Sequence, residues 1–127
     1  MKHDLKILVA YDGSEQADKA LSEAIDIAQK FSGSITLLHI AWEESDEASN
    51  NLLKDPQKRL KKSGVKHTIR SERDENTPWT IASISRNEGF DLITIGSRGI
   101  GRVKTWMMGS VSSGVCSMAT CPVLIVK

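Results

Sequence analysis

Cysteine, proline and aromatic residues are all scarce in this chain of 127 residues, which has two cysteines, three prolines, three tryptophans, two phenylalanines and one tyrosine. Two cysteines cannot supply the disulfide framework that stabilises small secreted domains. Cys116 and Cys121 stand five residues apart with no histidine at ligand spacing. That pattern reads as reduced, largely buried packing thiols rather than a zinc site. An excess of either charge is also missing: 17 Lys and Arg face 16 Asp and Glu, a net charge of +1. Nothing in that balance demands nucleic acid or an anionic membrane as partner. No apolar run approaches the roughly 18 residues of a transmembrane helix. The run Ile7 to Ala10 is also too short for a secretory signal core. The expectation is a cytoplasmic protein with neither membrane nor nucleic-acid partner.

With 39% hydrophobic and 26% charged residues, the chain has the composition of a folded globular protein. No internal repeat, low-complexity tract or linker divides it, so residues 1–127 are expected to form a single domain. Leu5 to Ala10 is a short, β-branched apolar run ending at a turn, Asp12-Gly13-Ser14. Ser14 can cap a helix whose apolar stripe is Ala17, Ala20, Leu21, Ala24, Ile27, Ala28 and Phe31. Ser32-Gly33 is read as its stop. Ile35 to Trp42 reads as a second strand.

Glu43 to Asn51 is acidic and polar, a loop or a frayed helix entry. A basic amphipathic helix is expected from about Asp55 to Ser63, with Pro56 in its first turn. Val65 to Ser71 alternates, as a half-buried strand near a sheet edge does. Thr77-Pro78 reads as a cap and first helical residue, opening a helix that stops at Gly89. Asp91 to Ile95 reads as a central strand, a further helix starts near Ser110, and Val123 to Val126 is the last strand. Strands alternating with helices predict a doubly wound parallel α/β sheet with helices on both faces.

Two segments look built for a ligand. One is Ala10-Tyr11-Asp12-Gly13-Ser14, at the end of the first strand. The other is Gly96-Ser97-Arg98-Gly99, followed after nine residues by Gly109-Ser110. Glycines let backbone N–H groups approach a phosphate, and a helix N-terminus at Ser110 favours an anion. Arg98 can add positive charge. A Gly-x2-Gly-x9-Gly-Ser/Thr pattern arises by chance in about one chain in two hundred of this length. Here a strand precedes it and a helix follows. It is not a Walker A loop, which needs Gly-Lys-Ser/Thr, nor the Gly-x-Gly-x-x-Gly dinucleotide fingerprint.

The Gly96-x2-Gly99-x9-Gly109-Ser110 pattern resembles the nucleotide-binding signature of universal stress proteins. The opening Ile7 to Ser14, the run Asp91 to Gly99 and the close Cys121 to Val126 are similar to that family as well. The likeness spans nearly the whole chain and is weakest over residues 43–64, where this chain looks shorter than usual members. The resemblance implies a five-stranded parallel sheet in the order 3-2-1-4-5, a Rossmann-like fold that binds adenine nucleotides. It implies that Asp12 contacts the ribose or adenine side of ATP, with or without Mg²⁺, and that backbone at Ala10 and Ile40 flanks the adenine. Gly96, Gly99, Gly109, Ser110, Val111 and Ser112 would hold ribose and phosphates, with Ile95 lining the same pocket. It also implies a homodimer that pairs the strand Val123 to Val126 across a two-fold axis.

Three functions stay open on these residues. The first is an ATP-binding stress-response regulator with little hydrolysis and an unidentified downstream protein partner. The second is a slow ATPase or an enzyme that phosphorylates itself, with Ser110 or Ser112 as acceptor. The third is a ligand-free dimerisation module. Apart from Asp12 the two loops carry no carboxylate or histidine to activate water, which favours the first. Asp12 can equally be a turn residue. His39 is expected as a hydrogen-bonded core or edge histidine, and Trp42 and Trp79 as packing residues. Trp106-Met107-Met108 is expected to cover the pocket or the core.

Overall fold

A computed structural model describes residues 4–98 and 109–127. Its elements run β1 (Lys6–Ala10), α1 (Glu15–Phe31), β2 (Ser34–Ala41), α2 (Asp46–Ser63), β3 (Lys66–Arg73), α3 (Thr77–Asn87), β4 (Leu92–Gly96), α4 (Ser110–Met118) and β5 (Val123–Val126). The strands form one parallel sheet in the order β3-β2-β1-β4-β5, as the family resemblance implied. Among the described residues, no helix is long and apolar enough to cross a membrane.

The central strand shows why these runs are apolar without alternation. Ile7 and Val9 of β1 face α1 and α2, packing with Leu21, Leu37, Leu53 and Leu60. Leu8 and Ala10 face α3 and α4, packing with Ile81, Ile93 and Val115. Both faces are covered, so both sets of side chains are buried. Each large one contributes roughly 1.5–3 kcal/mol through removal from water. β3 has helix cover on one side and a free edge, and it alternates half-buried and exposed residues accordingly.

Local chemistry sets the helix ends, and several differ from the sequence reading. Ser14 caps α1 as expected, its Oγ accepting from the Ala17 amide at 3.1 Å. α1 stops at Ser32-Gly33 as read, with Ser32 as the left-handed residue (φ 54°) that closes it. Phe31, expected on the buried stripe, is 67% exposed as the last residue of α1. α3 is capped by Asn76, whose side chain accepts from the Trp79 amide at 3.2 Å. Thr77 is already helical, one residue earlier than the sequence suggested.

The largest correction concerns α2. It starts at Asp46, not near Asp55, and runs 18 residues with Pro56 inside it. Ser45 caps it, accepting from the Ala48 amide at 3.1 Å, and Asp46 and Glu47 in the first turn suit the helix dipole. Pro56 has no N–H, so one intrahelical bond is lost. The proline is buried beside Leu53 and Leu60 on the core-facing side, and that packing offsets the loss. Trp42 and Trp79 are also corrected: they are 56% and 53% exposed, not core residues. Cys116 is exposed and Cys121 half-buried, both free, with Cys121 Sγ 3.3 Å from Ser85 Oγ.

Candidate functional site

Parallel order 3-2-1-4-5 means that the chain leaves β1 toward β2 on one side and returns to β4 on the other. The loops after β1 and β4 therefore part, and a crevice opens between them at the carboxyl ends of the strands. The described residues form a cleft of about 290 Å³ at that place. Of the expected site residues, Ala10, Asp12, Ile40, Ile95, Gly96, Arg98, Gly109, Ser110, Val111 and Ser112 all line it. Gly99 lies outside the described residues, as does the Trp106-Met107-Met108 cluster.

The cleft has an apolar end and a polar end. Ala10, Leu38, Ile40 and Ile81 make the first, where β1, β2 and α3 meet. Gly96, Gly109, Ser110 and Ser112 make the second, at the start of α4. Gly109 caps α4 with no side-chain hydrogen bond. Helix geometry leaves the first amides of α4 without intrahelical acceptors. Those of Ser110, Val111 and Ser112 meet no acceptor among the described residues. They form an anion-accepting terminus, with the helix dipole adding to it. The Gly109 amide and the Ser112 hydroxyl both donate to the Ser97 carbonyl, at 2.7 and 2.9 Å, and fix α4 to the end of β4. The Ser112 hydroxyl is thereby engaged in structure, whereas Ser110 is exposed in the cleft.

Among the described residues, Asp12 and Arg98 bring charge to the lining. Asp12 Oδ1 accepts from the Ser14 amide at 2.9 Å, so this carboxylate does shape its turn as well as facing the cleft. Gly13 follows with φ +85°, a conformation that L side chains rarely adopt. Tyr11 anchors the loop from below: its hydroxyl donates to Asp18 Oδ1 at 2.5 Å, and Arg59 reaches the same oxygen at 3.4 Å. Burial, reinforced by the Asp18 carboxylate, pushes the phenol far above its ordinary pKa, so it remains a donor. Among the described residues, no three His, Cys, Asp or Glu side chains gather to hold a metal ion.

Tyr11 and Ser14, from the first expected ligand segment, also line the cleft, as do Thr77, Ile81, Ala17 and Leu38, which were not singled out. The signal for Thr77 was present, since a doubly wound fold brings each helix start to the carboxyl edge of the sheet. His39 is buried, as expected of a core histidine. Its Nδ1 lies 2.9 Å from the Tyr11 carbonyl and its Nε2 2.9 Å from Glu44 Oε1.

Comparison with known proteins agrees with this architecture. The model of the universal stress protein family matches residues 5–127. Universal stress protein YxiE of Bacillus subtilis is 32% identical over 145 residues, spanning 96% of this chain and 98% of that protein. The solved structure of hypothetical protein MJ0577 is 28% identical, with a TM-score of 0.83 over 96% of this chain and 94% of that one. A universal stress protein of Archaeoglobus fulgidus, solved in complex with dAMP, is 20% identical with a TM-score of 0.78, and both chains are covered in full. Two other family structures hold cAMP and AMP, the second from Arabidopsis thaliana; their identities of 20% and 22% and TM-scores of 0.79 and 0.72 establish likeness of fold. This chain belongs to the universal stress protein family.

Proposed function

We propose that the cleft binds an adenine nucleotide, with ATP the first candidate, and that binding rather than turnover is its function. The observation that carries this reading is the junction of an apolar slot with the unpaired amides of α4. A flat heteroaromatic base suits the slot, and phosphate oxygens suit the amides. The dAMP, AMP and cAMP held by similarly folded relatives share that base, sugar and phosphate pattern.

On this reading Asp12 binds the ribose or the adenine edge, and backbone at Ala10 and Ile40 flanks the base beside Ile95. Gly96, Gly99, Gly109, Ser110, Val111 and Ser112 hold ribose and phosphates, and Arg98 adds charge. Any Mg²⁺ enters on the phosphates. Among the described residues, Asp12 is the one carboxylate in the lining and no histidine lies there, which supports slow hydrolysis at most. The protein then acts as a single-domain cytoplasmic regulator. It pairs as a homodimer through β5, and its nucleotide-bound form is read by a downstream protein. Self-phosphorylation is a second reading, and the exposed Ser110 favours it over the engaged Ser112.

Mass spectrometry of an acid extract, followed by calorimetry with ATP, ADP, AMP and cAMP, tests the proposal. Co-purified nucleotide or micromolar binding is expected. Absence of both means a ligand-free module.

A further inference from the structure

His39 does not line the cleft, but it hydrogen-bonds the backbone of the cleft's first loop. The imidazole is 3% exposed. A backbone carbonyl can only accept, so Nδ1 carries a proton and donates it to the Tyr11 oxygen at 2.9 Å. A second proton lies between Nε2 and Glu44 Oε1, 2.9 Å apart, and that bond fixes the ring from its far side. Glu44 is in turn held by the Trp42 amide, which donates to Oε2 at 3.2 Å. The Tyr11 amide donates to the Leu38 carbonyl at 2.9 Å, so Tyr11 is pinned at both its N–H and its C=O.

The consequence falls on the next residue. In a trans peptide the N–H points opposite to the C=O. With the Tyr11 carbonyl held down toward His39, the amide of Asp12 points the other way. That amide meets no acceptor among the described residues, although Asp12 lines the cleft. We propose that His39 is a positioning residue that turns the Tyr11–Asp12 peptide so that the Asp12 amide donates a hydrogen bond to the ligand. The inference rests on the nucleotide reading for the identity of that ligand, but the peptide orientation does not depend on it.

The test compares His39→Asn with His39→Gln, two polar variants of similar character. The asparagine amide reaches the place of Nδ1 and keeps the donor to Tyr11. The longer glutamine reaches the place of Nε2 and loses it. Both are checked for cooperative melting. In unliganded protein, the Asp12 amide NMR resonance is expected to be sharp in wild type and H39N and exchange-broadened in H39Q. On adding ATP, that amide gains protection from hydrogen exchange in wild type and H39N. H39Q binds about tenfold more weakly, the loss expected from one misplaced hydrogen-bond donor. Equal behaviour of the two variants, whether both like wild type or both damaged, overturns the assignment. Failure of wild type to bind ATP overturns the nucleotide reading instead, and the unliganded spectra still decide the role of His39.

Discussion

A β-carbon placed on Gly96 would lie 2.6 Å from the β-carbon of Gln16 and within about 3 Å of the Gln16–Ala17 backbone. The last residue of β4 is thus pressed against the first turn of α1, directly under the cleft. The glycine that opens the candidate phosphate loop is needed for packing before any ligand is considered.

Gly96→Ala should therefore destabilise the protein by about 1–3 kcal/mol, the usual cost of overpacking a close contact. Backbone atoms of α1 stand in the way, and they cannot swing aside as a side-chain tip would. The shift is read from the urea midpoint with ligand absent. An unchanged midpoint would mean that α1 moves freely relative to β4.

Gly109→Val should do the opposite: keep the fold and lose the ligand. Gly109 has φ −69° and ψ 161°, which any residue adopts, so the backbone does not require glycine there. A valine side chain would project at the start of α4, where the phosphates are proposed to sit. Calorimetry should show ATP affinity falling at least about tenfold, with little change in melting temperature. Unaltered affinity would remove the phosphate assignment from this loop.

Ser45→Ala tests the helix start that the sequence concealed. Loss of the Ser45 side-chain cap on the Ala48 amide should cost about 1 kcal/mol. Hydrogen exchange should quicken in residues 46–49 first. If exchange rises only beyond Asp55, the shorter helix is the correct one.

Glu44 connects stability to acid. Its carboxyl is held below the ordinary carboxylate pKa, chiefly by its own backbone amide, then by the Trp42 amide and His39. A depressed folded pKa stabilises the protein at pH above the ordinary value of about 4.3. That contribution disappears as pH falls through the lower, folded value. Glu44→Gln should flatten the acid limb of a stability-versus-pH curve and leave its shape near neutrality unaltered. An identical acid limb in the variant would show that the ionised form gains nothing from these contacts.

β5 ends the sheet with four half-buried apolar residues and an edge open to pairing. Light scattering at high micromolar concentration should give twice the chain mass. Leu124→Lys, which places a charge on that edge strand, should return the protein toward monomer. A monomeric wild type would refute pairing through β5.

The order of strands and helices was legible because both faces of this sheet are covered. Ile7 to Ala10 is apolar without a break and Ile93 and Ile95 flank a single Thr94, patterns that suit buried strands, and Gly and Ser punctuate them at the carboxyl edge. The two loops that border the cleft were legible as well. Asp12 and Gly96 sit at the carboxyl ends of β1 and β4 and Gly109 at the start of α4, the edge of the sheet where a doubly wound fold opens its crevice.

Tertiary structure decided the rest. α2 begins at Asp46 because Ser45 caps it and the core accepts Pro56, a balance that local propensity cannot express. Thr77 and Leu38 enter the cleft only because the crossovers bring α3 and β2 to it. His39 reads in the strand, like Thr36, only as a polar residue among apolar ones. Its link to Tyr11 and Glu44 exists only once β1, β2 and the approach to α2 are folded together, since a hydrogen bond depends on where its partner lies in space.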